Sequence, residues 1–262
     1  MALTTLADAY SATGGAWEGG PARVYDRLAE VLVARSPVSL RGARVVDVGA
    51  GTGAASRAAL AAGAARVVAV DAALGMLAHQ AQARPPAVVG DAYALPLATS
   101  SFDAAVAAFS LNHLRDPSTA LRAMARVTRP GGAVLAAVYA ADDSHPVKEA
   151  VDAALRARGW TPEPWYVSLR AEVVPLLGTH DVFVEAAQAA GLDATVDAVH
   201  VPFPELTGGD LVAWRLGLAQ HAPFVARLTV GERGAIVTDA LARLGAAPPL
   251  ERSILLLSAV RS

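Results

Sequence analysis

A glycine-rich segment near residue 50 is the part of the chain whose residue types could most readily hold a ligand. It follows the apolar Val45 and Val46 and reads Asp47-Val48-Gly49-Ala50-Gly51-Thr52-Gly53. The apolar run predicts a buried strand, and glycines at the mouth of a following helix permit positive φ and let a ligand touch the backbone. The same glycines also satisfy a dinucleotide-binding fingerprint, so alone they indicate only a nucleotide-like ligand.

Three carboxylates accompany this segment at spacings that suit a nucleoside with a short charged tail. Asp47 stands just before the first glycine, where it can order the loop or meet the amino group of a ligand. Asp71 ends a second predicted strand, from which it can accept hydrogen bonds from two ribose hydroxyls, a role that fits NAD equally well. Asp91 closes a third strand, where it can accept a bond from the exocyclic amine of adenine. A cofactor that contains a pyrophosphate needs neither Asp47 nor Asp91. The three acids together therefore favour a nucleoside that has no pyrophosphate group.

The elements that must position these residues alternate between strand and helix from about 44 to 140. This alternation predicts right-handed βαβ units and a parallel sheet. The predicted strands are 44–48, 66–70, 87–90, 102–109 and 133–139, and the helices are 52–62, 74–83 and 117–127. Arg129-Pro130-Gly131-Gly132 is expected to turn the chain into the fifth strand.

The flanking segments predict a lid around this α/β core. An amphipathic helix over 21–35 precedes it, and a proline-rich stretch follows. Later segments predict a helix over 181–190, a strand over 194–201, helices over 208–220 and 230–244, and a last strand over 253–260. The predicted organisation is a leader or lid (1–38), a cofactor-binding core (39–141), an inserted cap (142–180), and the rest of the core (181–262) with a helical lid insertion at about 203–245.

With these motifs combined, the chain closely resembles the small-molecule class I methyltransferases, including quinone-biosynthesis and natural-product-tailoring members. The matching stretches lie between about 40 and 140 and comprise 45–53, 70–77, 90–96, 101–103, 111–117 and 126–132. The resemblance implies a Rossmann-like α/β fold of seven strands in the order 3-2-1-4-5-7-6, with the last antiparallel, and S-adenosylmethionine as cofactor. It also implies that Met76 packs beside adenine and that Phe109 and Ser110 line the methionine side. The predicted cofactor-binding residues are Asp47, Gly49, Ala50, Gly51, Gly53, Asp71, Ala72, Met76, Asp91, Ala92, Phe109 and Ser110.

His113 is the predicted catalytic residue. It lies just past the fourth strand, beside the place where the resembling family holds the sulfonium, so it could take a proton from an acceptor. A purely structural histidine is the alternative, and His145, His180 or His221 could instead supply a base from the cap or the late helices. Aromatic residues outside the predicted core strands suggest a lid over an apolar acceptor, although they could equally build a small second core. The candidate acceptor contacts are Tyr10, Trp17, Tyr139, Trp165 and Trp214.

Composition narrows the remaining function classes. The net charge of −2 supplies no positive field for a phosphate backbone or an anionic membrane, so neither nucleic acid nor membrane is an expected partner. The absence of cysteine excludes disulfides and thiolate chemistry, and no cluster has metal spacing, so no metal is expected. The start, Met1 to Asp8, lacks the features of an export signal, and no apolar stretch reaches bilayer length, so a cytoplasmic location is expected.

The sequence therefore predicts methyl transfer from S-adenosylmethionine to oxygen, nitrogen or carbon of an apolar small molecule, in secondary metabolism or quinone-like biosynthesis. Two alternatives stay open. One is a superfamily member that binds the cofactor but catalyses a reaction such as cyclisation, or uses the cofactor as a scaffold. The other, more distant, is an NAD-dependent oxidoreductase.

Overall fold

A seven-stranded sheet forms the centre of the protein in a computed structural model that describes residues 5–262. The strands are β1 (Arg44–Val48), β2 (Arg66–Asp71), β3 (Ala87–Val89), β4 (Phe102–Ala108), β5 (Thr128–Tyr139), β6 (Ala194–Phe203) and β7 (Leu250–Val260). Their order is β3-β2-β1-β4-β5-β7-β6, with β7 antiparallel to both of its neighbours and the other pairs parallel. The predicted fold and strand order are confirmed.

The helices cover both faces of this sheet. In chain order they are α1 (Leu6–Ser11), α2 (Gly14–Glu18), α3 (Pro21–Val33), α4 (Ala54–Ala61), α5 (Leu74–Ala78), α6 (Pro117–Val127), α7 (Val147–Arg156), α8 (Pro164–Ser168), α9 (His180–Ala189), α10 (Gly208–Leu216), α11 (Ala222–Ala226) and α12 (Val230–Leu244). Short 3-10 segments occur at Ala81–Ala83, Leu111–His113 and Val174–Leu176, and a π-turn at Leu169–Val173. None of the helices within residues 5–262 is long and apolar enough to cross a membrane.

The central strands are apolar on both faces because helices bury both. Val45 packs in the cluster that contains α3 and α4 residues, whereas Val46 packs in the cluster that contains α6 and α9 residues. This alternation follows from the two-residue period of a strand. Ala104 and Ala105 of β4 divide in the same way, so the middle of the sheet is fully enclosed. Polar groups lie instead at the edge of the sheet where the parallel strands end.

Three predicted boundaries are wrong in detail. The helix expected over 74–83 stops at Ala78, because Gln80 adopts a left-handed φ of 49°. The helix expected over 208–220 stops at Leu216, next to the tightly packed Gly217. Arg129 to Gly132 do not form a separate turn but lie inside β5, where the pairing with β4 shifts register.

The cap and the late insertion pack together. Helix α7 of the predicted cap contacts α10 and α12 of the predicted insertion, and α10 also contacts α3. The division of the chain at 38, 141 and 180 stays a prediction. The packing therefore joins segments that are far apart in sequence into one layer, on the face of the sheet that also carries α3.

Candidate active site

The glycine loop joins β1 to α4 and is shaped by left-handed backbone. Gly49, Gly51 and Gly53 have φ values of 68°, 54° and 92°. A Cβ on Gly49 would overlap the Cβ of Ser110, which follows β4. The Ser110 hydroxyl donates to the carbonyl of Val48 at 2.7 Å, so the ends of β1 and β4 are held against each other. Only glycine fits where these strand ends meet.

Asp71 ties the end of β2 to this loop. Its Oδ2 accepts from the backbone N–H of Gly51 and its Oδ1 from that of Ala73, both at 2.7 Å. Burial raises the pKa of this carboxyl, and the backbone hydrogen bonds oppose the shift. Each carboxylate oxygen can accept a further hydrogen bond, so the group can order the loop and still receive a pair of ligand hydroxyls.

A cavity with about 1100 Å³ of empty space lies at this edge of the sheet, and we call it the first chamber. Leu6 and Tyr10 of α1 and Trp17 of α2 lie on its wall. Phe109, also on the wall, is a non-glycine residue at φ 58°, a conformation that costs free energy and clusters at functional sites. Ten members of the predicted cofactor set line the first chamber: Gly49, Ala50, Gly51, Asp71, Ala72, Met76, Asp91, Ala92, Phe109 and Ser110.

Asp47 and Gly53, also predicted to bind cofactor, do not reach the wall of the first chamber. Asp47 is 1% exposed and accepts a hydrogen bond from the Ser56 hydroxyl at 2.6 Å. Burial raises its pKa to about 6. Gly53 caps α4. Both support the loop from behind. The packing of Asp47 fits the expectation that it orders the loop, and its contact with a ligand stays a prediction.

A second chamber adjoins the first, with about 1070 Å³ of empty space. Tyr10, Tyr25 and His113 line both chambers and therefore mark their junction. Four of the five predicted acceptor residues line the second chamber: Tyr10, Tyr139, Trp165 and Trp214. Trp17 instead lies on the first chamber and packs with Met76.

His113 sits at the junction with its ring facing α1. Its Nε2 is 3.5 Å from the Tyr10 hydroxyl, a distance at the outer limit of a hydrogen bond. Burial lowers the pKa of His113 to about 4 and raises the pKa of Tyr10 well above its ordinary value of 10.0. At neutral pH both groups are therefore uncharged, with the phenol able to donate and the imidazole able to accept.

The other three candidate histidines are placed differently. His145 lines the second chamber, but its Nδ1 accepts from the N–H of Val147 and its Nε2 donates to the carbonyl of Pro248. His221 is fully buried beside Asp152, and His180 is exposed beside Asp181. Among the four histidines proposed from sequence, His113 is the one placed at the junction.

Sequence reasoning missed several polar residues of the second chamber. Asn112, Lys148, Arg170, Arg215 and Arg252 line it together with Asp143. Arg252 stands between Glu251 and Ser253, before the apolar residues of β7, so its position in the sequence gave no signal. The others lie on helices and turns where a charged residue is ordinarily solvent-exposed, so pattern alone could not select them.

A protein-family model described as a methyltransferase domain matches residues 46–136. Residues 46–136 are thus similar to a methyltransferase domain. They contain the glycine loop, the three carboxylates and His113, and thus most of the first chamber. No group of three or more His, Cys, Asp or Glu side chains within residues 5–262 is arranged to hold a metal ion.

One similar curated protein is a demethylmenaquinone methyltransferase of Renibacterium salmoninarum. It is 41% identical over 143 residues, which cover 54% of this chain and 56% of that protein. The chain thus spans only about half the length of such relatives.

Two solved structures extend the likeness in fold to most of the chain. One is a Haemonchus contortus phosphoethanolamine N-methyltransferase with S-adenosylhomocysteine, with a TM-score of 0.55 and 21% identity over 90% of this chain and 52% of that one. The other is the [4+2]-cyclase SpnF, with a TM-score of 0.56 and 22% identity over 90% of this chain and 81% of that one. At such identities the likeness concerns fold alone, and the same fold serves two kinds of reaction.

Proposed function

We propose that the protein transfers the methyl group of S-adenosylmethionine to an oxygen, nitrogen or carbon nucleophile of a small molecule. The observation that carries the proposal is the pair of adjoining chambers in a chain whose residues 46–136 match the model of a methyltransferase domain. The first is lined by the glycine loop and Asp71, and the second opens from it at Tyr10 and His113. One chamber suits the methyl donor and the other the acceptor.

The residues of the first chamber fit the cofactor. A side chain at Gly49 would overlap Ser110, so glycine holds this turn in place and leaves its backbone on the wall of the first chamber. Asp71 has the capacity to accept from the ribose hydroxyls, Asp91 is exposed for the adenine amine, and Met76 offers an apolar surface. When bound, the cofactor supplies an electrophilic methyl group on a sulfonium.

The protein's own contribution is alignment and exclusion of water. An in-line displacement that dissipates charge gains most from a held geometry and a dry site. Tyr10, Tyr25 and His113 surround the junction between the chambers, where an acceptor would meet the donor. They would orient the nucleophile there.

His113 is proposed as a hydrogen-bond acceptor rather than a strong base. Because its pKa is about 4, it is neutral at physiological pH and can accept a bond from an acceptor O–H or N–H. Taking the proton fully would be costly in this environment. An ionised acceptor or an activated carbon would need positioning alone.

Calorimetry with S-adenosylhomocysteine and with NADH tests the cofactor assignment. We expect S-adenosylhomocysteine to bind and NADH not to. Asp71→Asn should weaken the former by roughly ten- to a hundredfold, since hydrogen bonds to a charged group are worth about 1.5–3 kcal/mol. Asp197→Asn, at an exposed acid of β6, is the matched control and should bind normally. Binding of NADH alone would overturn the proposal.

Formation of S-adenosylhomocysteine in the presence of acceptors tests methyl transfer itself. The Renibacterium relative is named for demethylmenaquinone, so naphthohydroquinones belong in the panel beside phenols, amines and enolisable carbonyl compounds. We expect product with at least one class. Cofactor binding without methylation of any would favour a non-methylating reaction, for which the fold shared with the cyclase is a precedent.

A further inference from the structure

The second chamber carries an excess of positive charge and of unsatisfied hydrogen-bond donors. We propose that it recognises an acceptor with a carboxylate, or an equivalent anionic group, on a planar aromatic body, and that Arg215 and Arg252 bind the anion. The inference rests on the proposed methyl transfer and names the class of its acceptor. It departs from the apolar acceptor expected from the tryptophans.

Arg252 enters the second chamber from the beginning of β7. Its side chain is 9% exposed, and its guanidinium lies 4.3 Å from the ring centre of Tyr139 and 4.8 Å from that of Trp214. One terminal nitrogen pairs with Asp143 at 2.5 Å, while Nε has no hydrogen-bond partner among the described residues. A buried guanidinium stacked in this way presents a fixed fork, the geometry that suits a carboxylate.

Arg215 is buried to the same extent and is less well neutralised. Its nearest acid is Asp152, whose Oδ1 lies 3.6 Å away, too far for a good hydrogen bond. Asp152 is also 3.0 Å from His221 and 3.9 Å from Arg156, so its charge is shared. Nε of Arg215 and the terminal nitrogen that faces Asp152 lack hydrogen-bond partners within residues 5–262. A buried cation that is only partly compensated is costly, and an anionic ligand would reduce that cost.

The charges of the lining add up to an anion site. Four cationic residues line the second chamber against one acid, Asp143: they are Lys148, Arg170, Arg215 and Arg252. Lys148 and Arg170 form no ion pair in the described part of the chain. Burial and the neighbouring arginines lower the pKa of Lys148, although Asp152 and Glu149 oppose the shift. The whole chain has a net charge of −2, so this excess is local.

Aromatic side chains on the wall of the second chamber offer surfaces for a planar ligand. Trp214 lines this chamber with an indole N–H that is buried and has no acceptor in residues 5–262. Tyr139 lies between the first chamber and Arg252. Its ring centre is 4.6 Å from that of Phe109, which lines the first chamber, and its ring also contacts Arg252. An anion held at Arg252 would therefore leave a planar body running along Tyr139 toward the junction.

The test compares a carboxylate with its neutral twin. Binding of 1-hydroxy-2-naphthoate and of 1-hydroxy-2-naphthamide to the protein saturated with S-adenosylhomocysteine is measured by calorimetry. We expect the acid to bind at least about tenfold more tightly than the amide, as charge-assisted hydrogen bonds require. Equal affinities for the two compounds would overturn the inference.

Substitutions test whether the second chamber causes the preference for the acid over the amide. Arg215→Gln should reduce the ratio of acid to amide affinity toward one, and Lys148→Gln and Arg170→Gln should lower it partially. The last two positions are only partly buried or exposed, so they test the inference even if the buried variant does not fold. Arg41→Gln, at an exposed arginine outside both chambers, is the control and should keep the ratio. An unchanged ratio in all three chamber variants would overturn the inference.

The outcome separates this inference from the proposed function. Equal affinities of the acid and the amide for the unaltered protein, with intact S-adenosylhomocysteine binding and methyl transfer to neutral acceptors, would overturn only the anion site. Failure of S-adenosylhomocysteine to bind the unaltered protein would remove the proposed function.

Discussion

At the residue scale, the site depends on left-handed backbone conformations, which residues other than glycine adopt only at a cost in free energy. Gly49 combines a φ of 68° with the close approach of Ser110, whereas Gly42 has a φ of 75° and no atom near its missing Cβ. The two glycines therefore separate backbone strain from steric overlap. Phe109, at φ 58°, shows that the chain tolerates strain beside the cavity when the surrounding structure holds it.

Substituting each glycine by alanine should reveal this difference. Gly42→Ala is expected to lower the free energy of unfolding by about 1 kcal/mol, the cost of left-handed backbone. Gly49→Ala should lower it by a further 1–3 kcal/mol or so, because Ser110 must move, and should weaken S-adenosylhomocysteine binding. Urea unfolding and calorimetry measure both effects. Equal losses of stability would contradict the role of the Ser110 contact.

At the element scale, the N-terminal helices complete the site. Helix α1 begins with a capping box between Thr5 and Asp8 and contacts α5. The contact is possible because Gly75 has no side chain: a Cβ there would overlap the carbonyl of Ser11. Since Tyr10 lies on α1 and lines both chambers, the docking of this short helix determines whether the junction is enclosed.

Gly75→Ala should therefore detach α1 and weaken S-adenosylhomocysteine binding by roughly tenfold, the effect of losing about 1.4 kcal/mol of contacts. Gly15→Ala in α2 is the matched control, since nothing lies within 4 Å of its missing Cβ. It should bind normally and gain up to about 1 kcal/mol of stability from helix propensity. Hydrogen exchange at residues 6–11 should rise only in the first variant. Unchanged exchange there would show that α1 docks independently of Gly75.

At the scale of the whole molecule, two buried groups of the site act on stability in opposite directions. Burial raises the pKa of Asp47 from 3.8 to about 6, so its contribution to stability is lost as pH rises through that range. Burial lowers the pKa of His113 from 6.5 to about 4, so stability is lost as pH falls through that range. Between pH 4 and 6 the two contributions oppose each other.

Single variants should separate these contributions. Relative to the unaltered protein, Asp47→Asn should gain stability from pH 4 to pH 6, by on the order of 2 kcal/mol. His113→Gln should change in the opposite direction by a similar amount. Urea unfolding at several pH values between 4 and 6.5 gives the slopes. A slope unchanged by both substitutions would mean that neither group is desolvated in the folded state.

Much of the fold and of the donor site follows from local sequence. The valine run before Gly49, the acid at the end of β2 and the Gly90-Asp91 pair after β3 are each set by a few neighbouring residues. In a parallel sheet, the carboxyl ends of such strands meet at one edge. For this reason the sequence alone could assign Asp71 and Asp91 to one ligand site, and both residues line the first chamber.

The lining of the second chamber, the proposed acceptor site, was decided only by tertiary structure. Asp47 turns behind the loop because its side chain alternates with its neighbours along β1, and Ser56 satisfies it there. Lys148, Arg215 and Arg252 come from α7, α10 and β7, and no local pattern relates them. By itself the sequence determined most of the strands and the glycine loop, because strand and turn signals are local, and the strand order came from the resemblance to a family. Only the packing of distant helices over the sheet decided which charges line the second chamber, because that depends on long-range contacts.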